Sequence, residues 1–248
     1  MGTQPDQFID YQGLYNLREL GGYPTTDMRV TRHGLLFRSE AFFRLNQEAQ
    51  HTLFDQLKLT TIIDLRSDEE RRSQGFLDDV GGVELLHFPL LDVSIDSGLN
   101  RNDPDYLPQV YAAILDSQPA SLANAVTTIL DPDRWPLLFH CAAGKDRTGI
   151  VAMLILAVAG VPDDLIAKDY SLTELALQRV LAANDPDVDP VNWSALPAAV
   201  LRSTPQTARA TLDHLKASFG SVHAYLEQLG IAPALLRTFE HAFTAPIP

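Results

Sequence analysis

Cysteine is almost missing from this chain: Cys141 is the only one in 248 residues. That excludes an intramolecular disulfide framework and fits a reducing compartment, so a cytoplasmic location is expected. Positive charge is also scarce, with 19 lysines and arginines against 32 aspartates and glutamates, a formal net charge of −13. A surplus of that sign argues against nucleic-acid binding and against unaided docking on an acidic membrane. The longest apolar run, 150–161, falls short of the roughly 20 residues that span a bilayer and stops at Pro162. Integral membrane association is therefore not expected. Residues 1–10 lack the charged start and apolar core of a signal peptide, and Asp6 stands where a myristoylation motif needs Ser or Thr. With 46% apolar and 21% charged residues and no low-complexity stretch, the chain can bury a large core. A single domain over 1–248 is expected.

What the chain does have is an alternation of strand and helix patterns. Residues 35–38, 60–65 and 83–88 read as strands, and 47–58, 104–116 and 120–130 as helices. Ser67 and Glu70 have the spacing of a capping box for a short acidic-basic helix. Residues 135–139 read as a buried strand and 150–159 as a buried helix. The implied class is α/β, a central mainly parallel sheet flanked by helices. From Pro162 onward the pattern is helical, giving a helical C-terminal lobe broken at 184–190 by prolines and aspartates. Segment 171–206 folds over a pocket as a lid or stands as a plain buttress.

Between the strand at 135–139 and the helix at 150–159 lies His140-Cys141-Ala142-Ala143-Gly144-Lys145-Asp146-Arg147-Thr148-Gly149. A strand-to-helix loop offers unpaired backbone N–H groups and the positive end of the helix dipole, which makes an anion site. A cysteine at its floor is favoured as the thiolate. Arg147 supplies a planar donor fork for two phosphate oxygens, a geometry that lysine lacks. Ala142, Ala143 and Gly144 keep the amides accessible, Thr148 can donate its hydroxyl to sulfur, His140 can orient the loop from behind, and Lys145 and Gly149 complete the expected substrate-binding set. Gly144-Lys145 invites comparison with an ATP-binding Walker loop, but Phe139 stands where that motif needs glycine and Asp146 where it needs Ser or Thr.

This run resembles the Cys-x5-Arg loop of the cysteine-dependent phosphatases. It is most similar to bacterial tyrosine phosphatases with a His-Cys-x-x-Gly-Lys-Asp-Arg-Thr-Gly loop, a group that includes phosphoinositide phosphatases. Asn16-Leu17-Arg18-Glu19-Leu20-Gly21-Gly22, Leu36-Phe37-Arg38-Ser39, Ile62-Ile63-Asp64-Leu65-Arg66-Ser67, Lys168-Asp169-Tyr170 and Phe219-Gly220-Ser221-Val222 look like further blocks of that family, in the same order. Glu19 departs from the more usual aspartate. The resemblance implies the cysteine phosphatase fold, a helical lid, and phosphorylated protein or phosphoinositide as substrate. A phosphate-reading module without turnover and a sulfurtransferase are the alternatives; the first usually lacks the Cys or the Arg, and the second has a loop shorter by one residue.

The implied chemistry is attack of Cys141 on phosphorus, stabilisation by Arg147 and the loop amides, and hydrolysis of the phosphocysteine by water, with no metal or other cofactor. The leaving oxygen needs a general acid. Many relatives use a Trp-Pro-Asp loop, whereas Trp135-Pro136 here is followed by Leu137. Asp146 is the first candidate, Asp92 the second and Asp64 the third, the last more suited to ordering the loop. Lys145 resembles a lysine that holds extra phosphates in lipid phosphatases of the phosphatase-and-tensin type, although Ala142 replaces their other loop lysine. Arg18, Arg38 and Arg66 are candidates for the rim of the site or for structural ion pairs.

Overall fold

A computed structural model describes residues 7–77, 80–90, 99–117, 119–183 and 188–247. Strands β1 (Arg18–Glu19) and β2 (Arg29–Thr31) precede β3 (Leu36–Ser39), helix α1 (Gln47–Leu57), β4 (Thr61–Asp64), α2 (Asp68–Gln74) and β5 (Glu84–His87). Helices α3 (Tyr106–Asp116) and α4 (Ala120–Leu130) lead into β6 (Leu137–His140) and α5 (Asp146–Val158). The C-terminal lobe holds α6 (Asp163–Ala182), α7 (Ala198–Leu201), α8 (Pro205–Phe219), α9 (Val222–Gln228), α10 (Pro233–Phe243) and β7 (Thr244–Pro246).

The main sheet has the order β1-β3-β6-β4-β5, with β3, β6, β4 and β5 parallel and β1 antiparallel at one edge. Side chains alternate across it, as the period of a strand requires. Leu36, Ile63, Leu137 and Phe139 enter a large core shared with α3–α6 and α8–α10. Phe37, Ile62 and Leu138 enter a smaller core with Leu53 and Phe54 of α1 on the opposite face. Both faces are covered, which explains why these strands read as continuous apolar runs. The register sets Ser39, His140, Asp64 and His87 side by side at the C-terminal edge. The loop after central β6 therefore opens where ligands bind in open parallel sheets.

The strands and helices expected before residue 140 all form. The capping box does too: Ser67 N–H donates to Glu70 Oε2 at 2.8 Å, and Glu70 N–H to Ser67 Oγ at 3.2 Å. The helix expected at 150–159 begins at Asp146, so Arg147, Thr148 and Gly149 occupy its first turn. The C-terminal lobe is helical with two departures. Its last strand, β7, pairs antiparallel with β2 outside the main sheet. Described residues 188–204 hold only a 3-10 turn at Trp193–Ala195 and the single turn of α7, because Pro190 and Pro197 interrupt any longer helix.

Candidate active site

The loop's shape follows from what its carbonyls do. His140 O accepts from Leu65 N (2.8 Å), Cys141 O lies 3.2 Å from His140 Nδ1, and Ala142 O accepts from Ala41 N (3.1 Å). Ala143 O accepts from Asn16 Nδ2 (2.8 Å), Gly144 O from Asn16 Nδ2 (3.1 Å) and Arg38 Nη2 (2.9 Å), and Lys145 O from Gly149 N (2.7 Å). In a trans peptide the N–H points opposite the C=O. Tying successive carbonyls to the scaffold turns the following amides towards the inside of the loop. Helix α5 adds the positive end of its dipole, and no side chain caps its N-terminus. Gly144 has φ of 66°, and a Cβ there would lie 2.5 Å from Ser39 O, so only glycine fits.

The scaffold is a buried charge cluster. Arg18 Nε and Arg38 Nη1 donate to the two oxygens of Asp169 at 3.0 and 2.7 Å, and Tyr23 Oη donates to Asp169 Oδ1 at 3.0 Å. Burial pushes the Asp169 carboxyl up, but the two guanidinium groups outweigh it and hold it below the usual range. Burial and neighbouring Arg18 pull Arg38 down to about 10, which leaves it charged at neutral pH. Both arginines are fully buried, so they brace the loop and do not form a rim. Glu19 sits apart, accepting from Gly34 N at 2.9 Å and lying 2.8 Å from His33 Nδ1.

Cys141 lies at the loop floor and is 1% exposed. Arg147 reaches across to Glu70: Nη2 donates to Oε1 at 2.6 Å and Nη1 donates to Oε2. Glu70 thereby grips the outer end of the guanidinium. Among the described residues, Arg147 Nε and Thr148 Oγ1 are buried polar atoms with no hydrogen-bond partner. Burial pushes the Glu70 carboxyl up, but Arg147 outweighs it and holds Glu70 below the usual range.

Asp146 Oδ1 accepts from Tyr111 Oη at 2.5 Å and lies 3.2 Å from Lys145 Nζ. The buried Lys145 ammonium also donates to the carbonyls of Val200 and Arg202, the latter at 3.3 Å. His140 Nε2 lies 4.0 Å from Asp64 Oδ1. Burial pulls His140 down to about 4, so it is neutral at pH 7. Burial pushes Asp64 up, but His140 and Arg66 outweigh it and hold the carboxyl at about 2. Asp64 is engaged by Arg66, with Nη2 donating at 2.8 Å, and by Arg71 at 3.5 Å. Asp92 lies outside the described residues. No group of three or more His, Cys, Asp or Glu side chains among the described residues is placed to hold a metal ion.

Above the loop, Trp193 packs with Ala142 and Val180, flanked by Tyr15, Phe43, Ala143, Val191 and Leu196. Buried Asp189 pairs with Arg44 at 2.6 Å, and that guanidinium lies over the rings of Tyr15 and Phe43. Segment 188–203 is thus tied down by Asp189 near its start and by the carbonyls of Val200 and Arg202 near its end, with Trp193 packed on Ala142 of the loop.

The model of the tyrosine phosphatase family matches residues 9–245. The chain belongs to this family. It is 30% identical to the triple specificity protein phosphatase PtpB of Mycobacterium tuberculosis, over 90% of this chain and 94% of that protein. It is 28% identical to a tyrosine-protein phosphatase of Nostoc commune, over 68% of this chain and 61% of that protein. Among solved structures, TpbA of P. aeruginosa aligns at 16% identity over 70% of this chain and 96% of that chain, with a TM-score of 0.37. The protein is a cysteine-dependent phosphatase acting on phosphomonoesters, and neither alternative reading gains support.

Sequence reasoning missed several parts of this phosphatase's site. Glu70 was legible only as a helix cap, although one carboxylate both caps α2 and holds Arg147. Tyr111, Asn16 and Trp193 carry no local signal, because their partners lie on distant elements. No helix among the described residues is long and apolar enough to cross a membrane.

Proposed function

We propose that Cys141 is the nucleophile of this phosphatase and Arg147 its phosphate clamp. The observation that carries the reading is the loop of outward carbonyls, with buried, unpartnered Arg147 Nε and Thr148 Oγ1 beside it. With Glu70 on the outer end of the guanidinium, Nε and the adjacent Nη present a fork to two phosphate oxygens. The amides of Ala142, Ala143, Gly144, Lys145 and Asp146 serve the same oxygens. These donors are fixed before the reaction, so they stabilise the charge of the transition state without reorganising.

Sulfur attacks phosphorus, the S–P bond forms and the ester P–O bond breaks. Asp146 gives its proton to the leaving oxygen, and its carboxylate then takes a proton from the water that cleaves the phosphocysteine. Thr148 Oγ1, unpartnered in the structure, is free to donate to the sulfur during the reaction, and His140 and Gly149 hold the loop's two ends. Asp92 is the alternative acid. Asp64 suits the role less well, since Arg66 and Arg71 engage its carboxylate. Segment 171–206 acts as a lid: Val180 and Trp193 pack on Ala142, the residue after Cys141, so a substrate enters when the part that follows α6 lifts. A single-cysteine enzyme working through a thiolate belongs in the cytoplasm.

The substrates are phosphotyrosine proteins together with phosphoinositides or phosphoserine and phosphothreonine, a breadth supported by the name of the mycobacterial relative. Lys145 is the residue that distinguishes them. A second phosphate on the substrate competes with the carbonyls of Val200 and Arg202 for its ammonium. Phosphopeptides and phosphoinositides assayed side by side test this. Lys145→Ala is expected to lower phosphoinositide turnover roughly tenfold, as loss of a charged contact does, and to affect phosphotyrosine less. Equal losses would remove Lys145 from substrate recognition.

A further inference from the structure

A general acid in the first turn of a helix needs its carboxyl held in one orientation, and one side chain outside the loop is placed to do so. Tyr111 of α3 is fully buried, and its hydroxyl donates to Asp146 Oδ1 at 2.5 Å. The same hydroxyl lies 2.8 Å from the Tyr170 hydroxyl, and the two rings meet edge to face at 6.2 Å. Tyr170 is itself fixed: a Cβ on Gly149 would lie 3.0 Å from its ring, and its carbonyl accepts from Ser203 Oγ at 2.8 Å. We propose that Tyr111 is a positioning residue for the general acid, an inference that rests on the reading of Asp146 given above.

Asp146 Oδ1 is occupied by Tyr111 and lies against Lys145 Nζ. The transferable proton therefore rides on Oδ2, which carries it to the ester oxygen as the P–O bond breaks. Tyr111 exchanges no proton in this step. Burial and the neighbouring Asp146 carboxyl push its hydroxyl well above the ordinary tyrosine range, so it stays a donor throughout.

The test compares Tyr111→Phe with Asp146→Asn, singly and combined, on aryl phosphates of increasing leaving-group pKa and on a phosphotyrosine peptide. Tyr111→Phe keeps the ring and loses one hydrogen bond, so kcat on the peptide should fall about tenfold while nitrophenyl phosphate, which leaves unaided, loses much less. KM should hold. Combined with Asp146→Asn, the second change should add nothing. Tyr170→Phe, which spares the bond to Asp146, should keep the wild-type leaving-group dependence.

A uniform loss across leaving groups, full additivity with Asp146→Asn, or a steeper dependence in Tyr170→Phe alone would overturn the positioning role. A flat leaving-group dependence in Asp146→Asn itself would instead overturn Asp146 as the acid. The two failures are therefore distinct.

Discussion

At the residue scale the central contact is Glu70 with Arg147. An arginine whose phosphate-facing donors must stay aligned gains from having the other end of its fork fixed, and Glu70 does this while its own carboxylate is fixed by the Ser67 amide. Glu70→Gln keeps an acceptor for the cap but loses the charge-assisted pair. Vanadate affinity is expected to fall roughly tenfold, about 1.4 kcal/mol, with little change in the thermal melt. An unchanged dissociation constant measured by calorimetry would show that Arg147 holds its place without Glu70. The Cys141-to-Arg147 spacing was legible in the sequence because loop chemistry is contiguous in the chain. Glu70 was not, because its second partner comes from an element 77 residues away.

At the element scale, β6 and β4 end together, and their last residues, His140 and Asp64, form a buried pair in register. Burial lowers the His140 pKa from 6.5 to about 4. As pH falls through that window the unfolded chain takes up a proton that the folded one does not, so stability is full above about 6.5 and declines towards 4. The loss amounts to about 3 kcal/mol. Asp64, held at about 2 against an ordinary 3.8, adds a further decline below about pH 4. Denaturant midpoints measured from pH 7 to 4 should show the first decline, and His140→Gln should flatten it. A His140→Gln midpoint that still falls as steeply would assign the decline elsewhere. The strands and helices around the sheet were legible from their periodicity. β2 and β7 were not, since each spans only three residues and they join positions some 215 residues apart.

At the scale of the whole molecule, the proposed anion loop of an acidic chain lies beside a segment held by Trp193, by Arg44 with Asp189 and by Lys145. The sequence suggested a helix break there, but which surface the segment would cover depended on contacts between remote elements. Trp193→Ala should speed alkylation of Cys141 by iodoacetamide about tenfold, as expected when local opening becomes easier by about 1.4 kcal/mol. An unchanged rate would mean the segment is not what shields the thiol. With no second cysteine to resolve a sulfenic acid, recovery after peroxide should need added thiol.

Cys141 as nucleophile is tested most directly by acid quenching of the enzyme during turnover of a labelled aryl phosphate, followed by mapping of the label, with Cys141→Ser in parallel. Label is expected on the peptide containing Cys141, and Cys141→Ser is expected to bind vanadate still but to have lost turnover. Turnover above a tenth of wild type in Cys141→Ser, or label on another residue, would contradict it.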